Sequence, residues 1–198
     1  MLIFPIRLKI WFLCLLGASC LSVGLLAQEA KPSFDDITRL QAAYLRNLGE
    51  YTRWPDAVNV QERGVVIGIV GKDARGVGRI LDYGAKVMEI KVKGKLPEIM
   101  KFPDANAKGV ADCDILFVLE SERSRVAALL ESLGDKPILT ISEIPGFASR
   151  GGMVEFEKTG RSKIRVTLAI NREAAGKTGL TFSSKLLGLK KGVRVLQP

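Results

Sequence analysis

Three short apolar runs limit the folds open to this chain more than any other feature. Val65-Val-Ile-Gly-Ile-Val70, Ile115-Leu-Phe-Val-Leu119 (opened by Asp114) and Ile138-Leu-Thr-Ile141 offer apolar side chains to both faces of an extended backbone. Strands of that kind are buried on both sides, so helices must lie above and below the sheet. Helical spacing appears between them. Ile37, Leu40, Ala43, Tyr44, Leu48 and Tyr51 form one stripe in a segment that Ser33 can cap and that Trp54-Pro55 ends. An amphipathic stretch follows over residues 76–83, and Ser121 can cap a helix over residues 122–133 with Val126, Leu129, Leu130 and Leu133 inward. Alternation over residues 87–92 predicts a further strand, and the Pro/Lys-rich residues 93–109 read as a loop.

The last third changes character. Residues 153–156 and 164–170 alternate around Lys158-Thr-Gly-Arg161, which predicts an antiparallel hairpin. Asn171 can cap a short helix over residues 172–176, and residues 183–187 allow another helical turn. The expected fold class is a single α/β domain over residues 28–198, with a mixed, mostly parallel sheet flanked by helices and a C-terminal antiparallel hairpin.

The N-terminus has the layout of a secretory signal peptide: Arg7 and Lys9, an apolar run over residues 10–26, and a polar turn at Gln28. Residues 1–27 are therefore expected to be a cleaved leader, with Ala27 and Ala30 as small residues for the cleavage site. A retained anchor is the alternative, at the short edge of what spans a bilayer; lipidation at Cys20 is another. Removing residues 1–27 takes away Arg7 and Lys9 and no acid, which leaves 28 basic and 21 acidic residues and a net charge of +7. That balance favours anionic surfaces or acidic partners. Nucleic acid is not an expected partner outside the cytoplasm.

Two of the three cysteines fall in the leader, so the exported chain keeps only Cys113 and has no intramolecular disulfide. Cys113 is either a small buried hydrophobe or a reactive thiol or intermolecular bridge. The chain contains no histidine, which removes the commonest general base and metal ligand. No metal site, cofactor or catalytic constellation is expected, and Asp35-Asp36 reads as a helix start.

Four loops hold two readings each. Gly71-Lys-Asp-Ala-Arg-Gly76-Val-Gly78 follows a buried strand and opens a helix, where phosphate loops occur, but its spacing fits neither the P-loop nor the dinucleotide pattern. It is either a tight turn or a ligand contact through Gly71, Gly76 and Gly78. Gly151-Gly152 likewise reads as a turn or as a loop gripping a ligand. Trp54 is a core aromatic or an exposed anchor for a partner. The basic, amphipathic tail around Lys185 and Lys190 is a solvated edge or a docking surface.

Several segments together resemble the YfiR-like family of periplasmic proteins, which repress diguanylate cyclases whose sensory domain lies outside the inner membrane. They are Gln41-Ala-Ala-Tyr-Leu-Arg-Asn47 with Tyr51 and Trp54-Pro55, Ala111-Asp-Cys113-Asp-Ile-Leu-Phe117, Gly146-Phe147-Ala148 with Gly151-Gly152-Met153, and Ile170-Asn171 with Ser183-Ser184-Lys185-Leu186-Leu187. The resemblance implies a non-catalytic α/β domain that forms a homodimer, sits in the periplasm and binds a membrane-bound cyclase's sensory domain. On it, Tyr51 and Trp54 are expected as aromatic anchors, Asn171 as a cap, and Ser183, Ser184, Lys185, Leu186 and Leu187 as docking surface. Redox gating through paired cysteines is not expected here. The alternative function is a small-ligand binding module lined by Gly71, Gly76, Gly78, Gly151 and Gly152.

Overall fold

The first helix begins where a carboxylate can cap it. In the computed structural model, which describes residues 35–159, 165–189 and 192–197, Asp35 accepts the Thr38 N–H at 2.8 Å and opens α1, Asp36–Tyr51. The expected leader, the Ser33 cap and the tip of the expected hairpin lie outside the described residues. The buried face of α1 is Thr38, Gln41, Ala42, Leu45, Leu48 and Gly49. This corrects the expected stripe, since Leu40 and Ala43 are exposed. Close packing rather than hydrophobicity sets the inward face: a Cβ on Gly49 would lie 2.9 Å from Val92 Cγ1 and 3.0 Å from Ile115 Cδ1. Buried Thr38 and Gln41 are tolerated because each bonds to a carboxylate, Asp35 and Glu143.

After β1 (Thr52–Arg53) and the single turn α2 (Val60–Arg63), the first apolar run forms β2, Val66–Val70. It is followed by α3, Val77–Lys86. The next strand is β3, Glu98–Phe102, and not residues 87–92. Val87 closes α3 with its N–H on Tyr83 O, Glu89 and Lys93 take left-handed backbone at φ 51° and 55°, and the pairing that follows is an isolated Val92–Lys95 bridge. Pro97 before the strand and Lys101 within it mark an edge, which is where β3 lies.

The remaining elements are β4 (Ile115–Val118), α4 (Val126–Leu133), β5 (Leu139–Ser142), β6 (Val154–Thr159), β7 (Arg165–Ile170), α5 (Arg172–Lys177), β8 (Thr181–Phe182), α6 (Ser184–Leu187) and β9 (Val193–Val195). Seven strands form one sheet in the order β3-β2-β4-β5-β6-β7-β9. β3, β2, β4, β5 and β6 run parallel, β7 returns antiparallel to β6, and β9 lies parallel to β7. The expected mostly parallel sheet with its late antiparallel pair is present. A two-stranded sheet pairs β1 with β8.

Alternation along the central strands divides the core into two layers. Ile115 and Phe117 join Leu45, Leu48, Ile67, Ile69, Leu139, Ile141 and Phe156. Leu116 and Val118 join Phe102, Cys113, Val126, Leu129 and Phe147 on the other face. Tyr44 and Phe117 both tilt onto Phe156, with ring centroids 5.9 and 5.6 Å away, in the range where aromatic pairs attract.

Gly152 sets the tightest contact: a Cβ there would lie 2.2 Å from Phe147 Cε1. Gly152→Ala is expected to cost about 1–3 kcal/mol by overpacking. An unchanged urea midpoint would mean that the Phe147 ring has room to turn away.

Candidate functional site

Open parallel sheets bind ligands beyond the carboxyl ends of their strands, where the strand order reverses. Here that point is β2, flanked by β3 on one side and β4 on the other. A cavity of about 330 Å³ lies there, lined by Lys72, Asp73, Arg75, Ser121, Glu143 and Lys158 among others. Two loops meet at its base. Gly71 takes φ 103°, a Cβ on it would lie 2.4 Å from Ser121 Oγ, and the Lys72 N–H donates to that oxygen at 2.8 Å.

Asp73 decides what the Gly71–Gly78 loop can hold. Its Oδ1 accepts the Gly76 N–H at 3.0 Å and the Val77 N–H at 2.8 Å, and its Oδ2 accepts the Gly78 N–H at 2.9 Å. These are the amides that a bound phosphate would use at a helix start. The chain's own carboxylate takes the anion's place, so Gly76 and Gly78 serve the turn, with Gly76 at φ 78°. The signal was in the sequence: an Asp in the turn ahead of a helix start readily accepts from nearby backbone N–H groups.

Glu143, just past the end of β5, ties four segments together. Its carboxylate accepts from Arg75 Nη2, from Lys158 Nζ at 2.7 Å and from Gln41 Nε2 at 3.0 Å. Burial pushes its pKa up, but the hydrogen bonds from Lys158 and Arg75 outweigh burial and hold it below the ordinary 4.5. Sequence reasoning missed this cluster because its members are up to 117 positions apart, Gln41 to Lys158.

The other expected residues fall into two groups. Asn171 Oδ1 caps α5 through the Ala174 N–H at 2.9 Å, and its Nδ2 donates to Ala148 O at 2.8 Å. It thereby joins the turn before Gly151, which has φ 100°, to the C-terminal region. An open depression of about 890 Å³ lies beside it, lined by Ser149, Asn171, Arg172, Phe182 and Leu196 among others. Tyr51 and Trp54 meet the tail at the small sheet, where Ser183 N–H donates to Tyr51 O at 2.9 Å.

Trp54 is 9% exposed and belongs to the core, and its indole N–H has no partner among the described residues. Leu186 is also buried, at 3%. The side chains of Trp54 and Leu186, expected as anchor and docking residue, pack inward, because the β1–β8 pairing folds both segments onto the core. Ser183 caps α6 by accepting the Leu186 N–H, Leu187 is half-buried, and Ser184 and Lys185 are exposed.

Cys113 is buried, with Sγ 3.7 Å from Gly109 O. Desolvation, then the carboxylates of Asp114, Asp112 and Glu98, push its thiol up to about 12. Asp114 itself receives Arg63 in two bonds of 2.8 and 2.5 Å and the Val66 N–H at 2.8 Å. Among the described residues no group of three metal-binding side chains converges, and no helix is long and apolar enough to cross a membrane.

These features define a single α/β domain whose polar loops are closed by its own side chains. The chain belongs to the YfiR/HmsC-like family, whose model matches residues 38–191. No curated protein matches it. Among solved structures it is similar to a conserved domain protein from Vibrio cholerae O1 biovar El Tor strain N16961, at 13% identity and a TM-score of 0.49. The match covers 72% of this chain and 58% of that one, so the chain spans under two thirds of its length.

Two outcomes follow from the titrating groups. Cys113 should resist a thiol reagent at pH 8 in the native protein and react fully in urea; rapid native labelling would contradict its burial. For Glu143 the folded pKa lies below the unfolded one, so its contribution to stability is present above about pH 4.5 and is lost as pH falls through the folded value. Glu143→Gln should therefore flatten the fall in urea midpoint between pH 5 and pH 3; an unaltered acid profile would remove Glu143 from that role.

Proposed function

We propose that this chain is a periplasmic regulator that binds the sensory domain of a membrane-bound diguanylate cyclase and holds it inactive, which lowers cyclic di-GMP signalling. The observation that carries the reading is the family match over residues 38–191, which takes in both segments joined at the β1–β8 sheet. YfiR-like proteins are periplasmic regulators of such cyclases. The lack of histidine in the chain supports a role in binding rather than chemistry.

Inhibition then acts by surface complementarity: the regulator binds one conformation of the sensory domain and shifts the cyclase toward it. Ser184 and Lys185, exposed on α6 and held by the Ser183 cap and buried Leu186, form the C-terminal part of the docking surface. The working unit in this reading is a homodimer, delivered by cleavage of the leader. The depression of about 890 Å³ beside Asn171 favours a second reading, a ligand-sensing module without a cyclase partner.

Cyclic di-GMP should rise in the host when the gene is deleted, and return to its starting level with the full-length gene but not with one lacking residues 1–27. No change across several growth conditions would overturn the cyclase reading; thermal-shift screening of metabolites would then test the second.

A further inference from the structure

The segment between α1 and α2 and the loop between α3 and β3 meet around a cavity. It holds about 380 Å³, and its walls include Arg53, Trp54, Asp56, Asn59 and Lys93. That volume falls in the range of about 300–1,000 Å³ usual for small-molecule sites. The cavity shares no lining residue with the depression beside Asn171.

Three of these residues keep unused donors. Arg53, exposed at the end of β1, makes no side-chain hydrogen bond or ion pair among the described residues. Lys93 Nζ gives one N–H to Glu50 O at 2.6 Å and has two left. The Trp54 indole N–H has no acceptor, although the residue is only 9% exposed. Its ring belongs both to the core and to the cavity wall. The buried members of that core are apolar and offer it nothing to bond, whereas buried donors in folded proteins nearly always have a partner. The cavity is the side from which an acceptor can reach it.

Charge selects the kind of acceptor. Burial, which outweighs the attraction of Glu50 and is reinforced by repulsion from Arg53, holds the Lys93 ammonium below its ordinary 10.5. Arg53 and Lys93 therefore stand close enough to repel each other. Two acids lie nearby without relieving that repulsion: the Glu50 carboxylate accepts the Lys93 main-chain N–H at 2.7 Å, and Asp56 forms no ion pair among the described residues. An oxyanion between the two cations does relieve it, and the planar fork of an arginine holds two oxygens of a carboxylate or phosphate at once. A bare inorganic ion would leave most of the cavity unfilled, so the anionic group is carried on an organic body. Asp56 and the Asn59 Oδ1 are placed to accept from hydroxyl groups on that body, since Asn59 bonds Glu62 through its Nδ2.

We propose that this cavity binds a small organic oxyanion, a carboxylate or a phosphate monoester, whose oxygens meet Arg53, Lys93 and the Trp54 indole N–H. The site would give the protein a ligand of its own, and it does not rest on the cyclase-binding function proposed above.

The test follows Trp54 fluorescence. The chain has two tryptophans, and Trp11→Phe in the expected leader leaves Trp54 as the sole one. That protein, expressed from its full gene and purified from the host envelope, is titrated at fixed ionic strength with succinate, glycerol 3-phosphate, inorganic phosphate and the neutral control glycerol. Succinate or glycerol 3-phosphate should change the emission saturably, with half-saturation below about 1 mM. Which of the two does so tells whether a carboxylate or a phosphate is recognised. Arg53→Gln and Lys93→Gln should each raise the half-saturating concentration at least about tenfold, as expected for loss of a charge-assisted bond, with the thermal midpoint unchanged. The proposal is overturned by no response to either organic anion, by an equal response to glycerol, or by tighter binding of inorganic phosphate than of both organic anions. Undiminished binding by Arg53→Gln overturns it too. Lys93 takes left-handed backbone; should its variant fail to fold, Arg53→Gln decides alone, since Arg53 is exposed. Each of these outcomes leaves the cyclase reading where it stands.

Discussion

Burial of β4 on both faces is the constraint from which the rest of the molecule follows. Ile115, Leu116, Phe117 and Val118 are each fully buried, two on each side of the sheet. At about 1.5–3 kcal/mol per large apolar side chain, these four contribute on the order of 10 kcal/mol, similar to the whole net stability of a domain. Neither face can be left to water, so α1 and α3 cover one and α4 with the Phe147 turn covers the other. A slip of one residue would exchange the two layers. Asp114 guards against it: held by Arg63, it binds the Val66 N–H and so fixes the start of β4 against the start of β2.

The same economy governs the loops, whose backbone donors are met by internal carboxylates. Glu122 accepts the Ala105 N–H, Glu155 accepts those of Gly146 and Ala148, and Asp73 closes the β2–α3 loop. Asp114, Glu122 and Glu155 are 3%, 2% and 7% exposed. Acidic side chains are thus drawn inward while lysines stay in water. The surface is more basic than a formal charge of +9 implies.

What was legible in the sequence is what local physics decides. Two-sided apolar runs named β2, β4 and β5; the Asn171 cap was read from its side chain; the segment order identified the family. Errors arose where packing overrides local preference. The apolar residues of α1 suggested one face, yet the need for close contact at Gly49 turned Leu40 outward. Residues 87–92 alternate like a strand, but α3 runs into them and the chain turns before it can pair. Trp54 read as core or as surface, and the β1–β8 pairing brings it inside. The Glu143 cluster joins residues from α1, the β2–α3 loop, β5 and β6, and no local pattern announces such a meeting.

The Asp73 arrangement has a consequence for how the protein responds to its surroundings. A tethered carboxylate competes for its amides at the effective concentration of an intramolecular group, far above that of free anions in solution. Phosphate or sulfate arriving from outside must displace it and leave the carboxylate unsatisfied. The loop most reminiscent of a nucleotide-binding enzyme is consequently deaf to changes in dissolved anions.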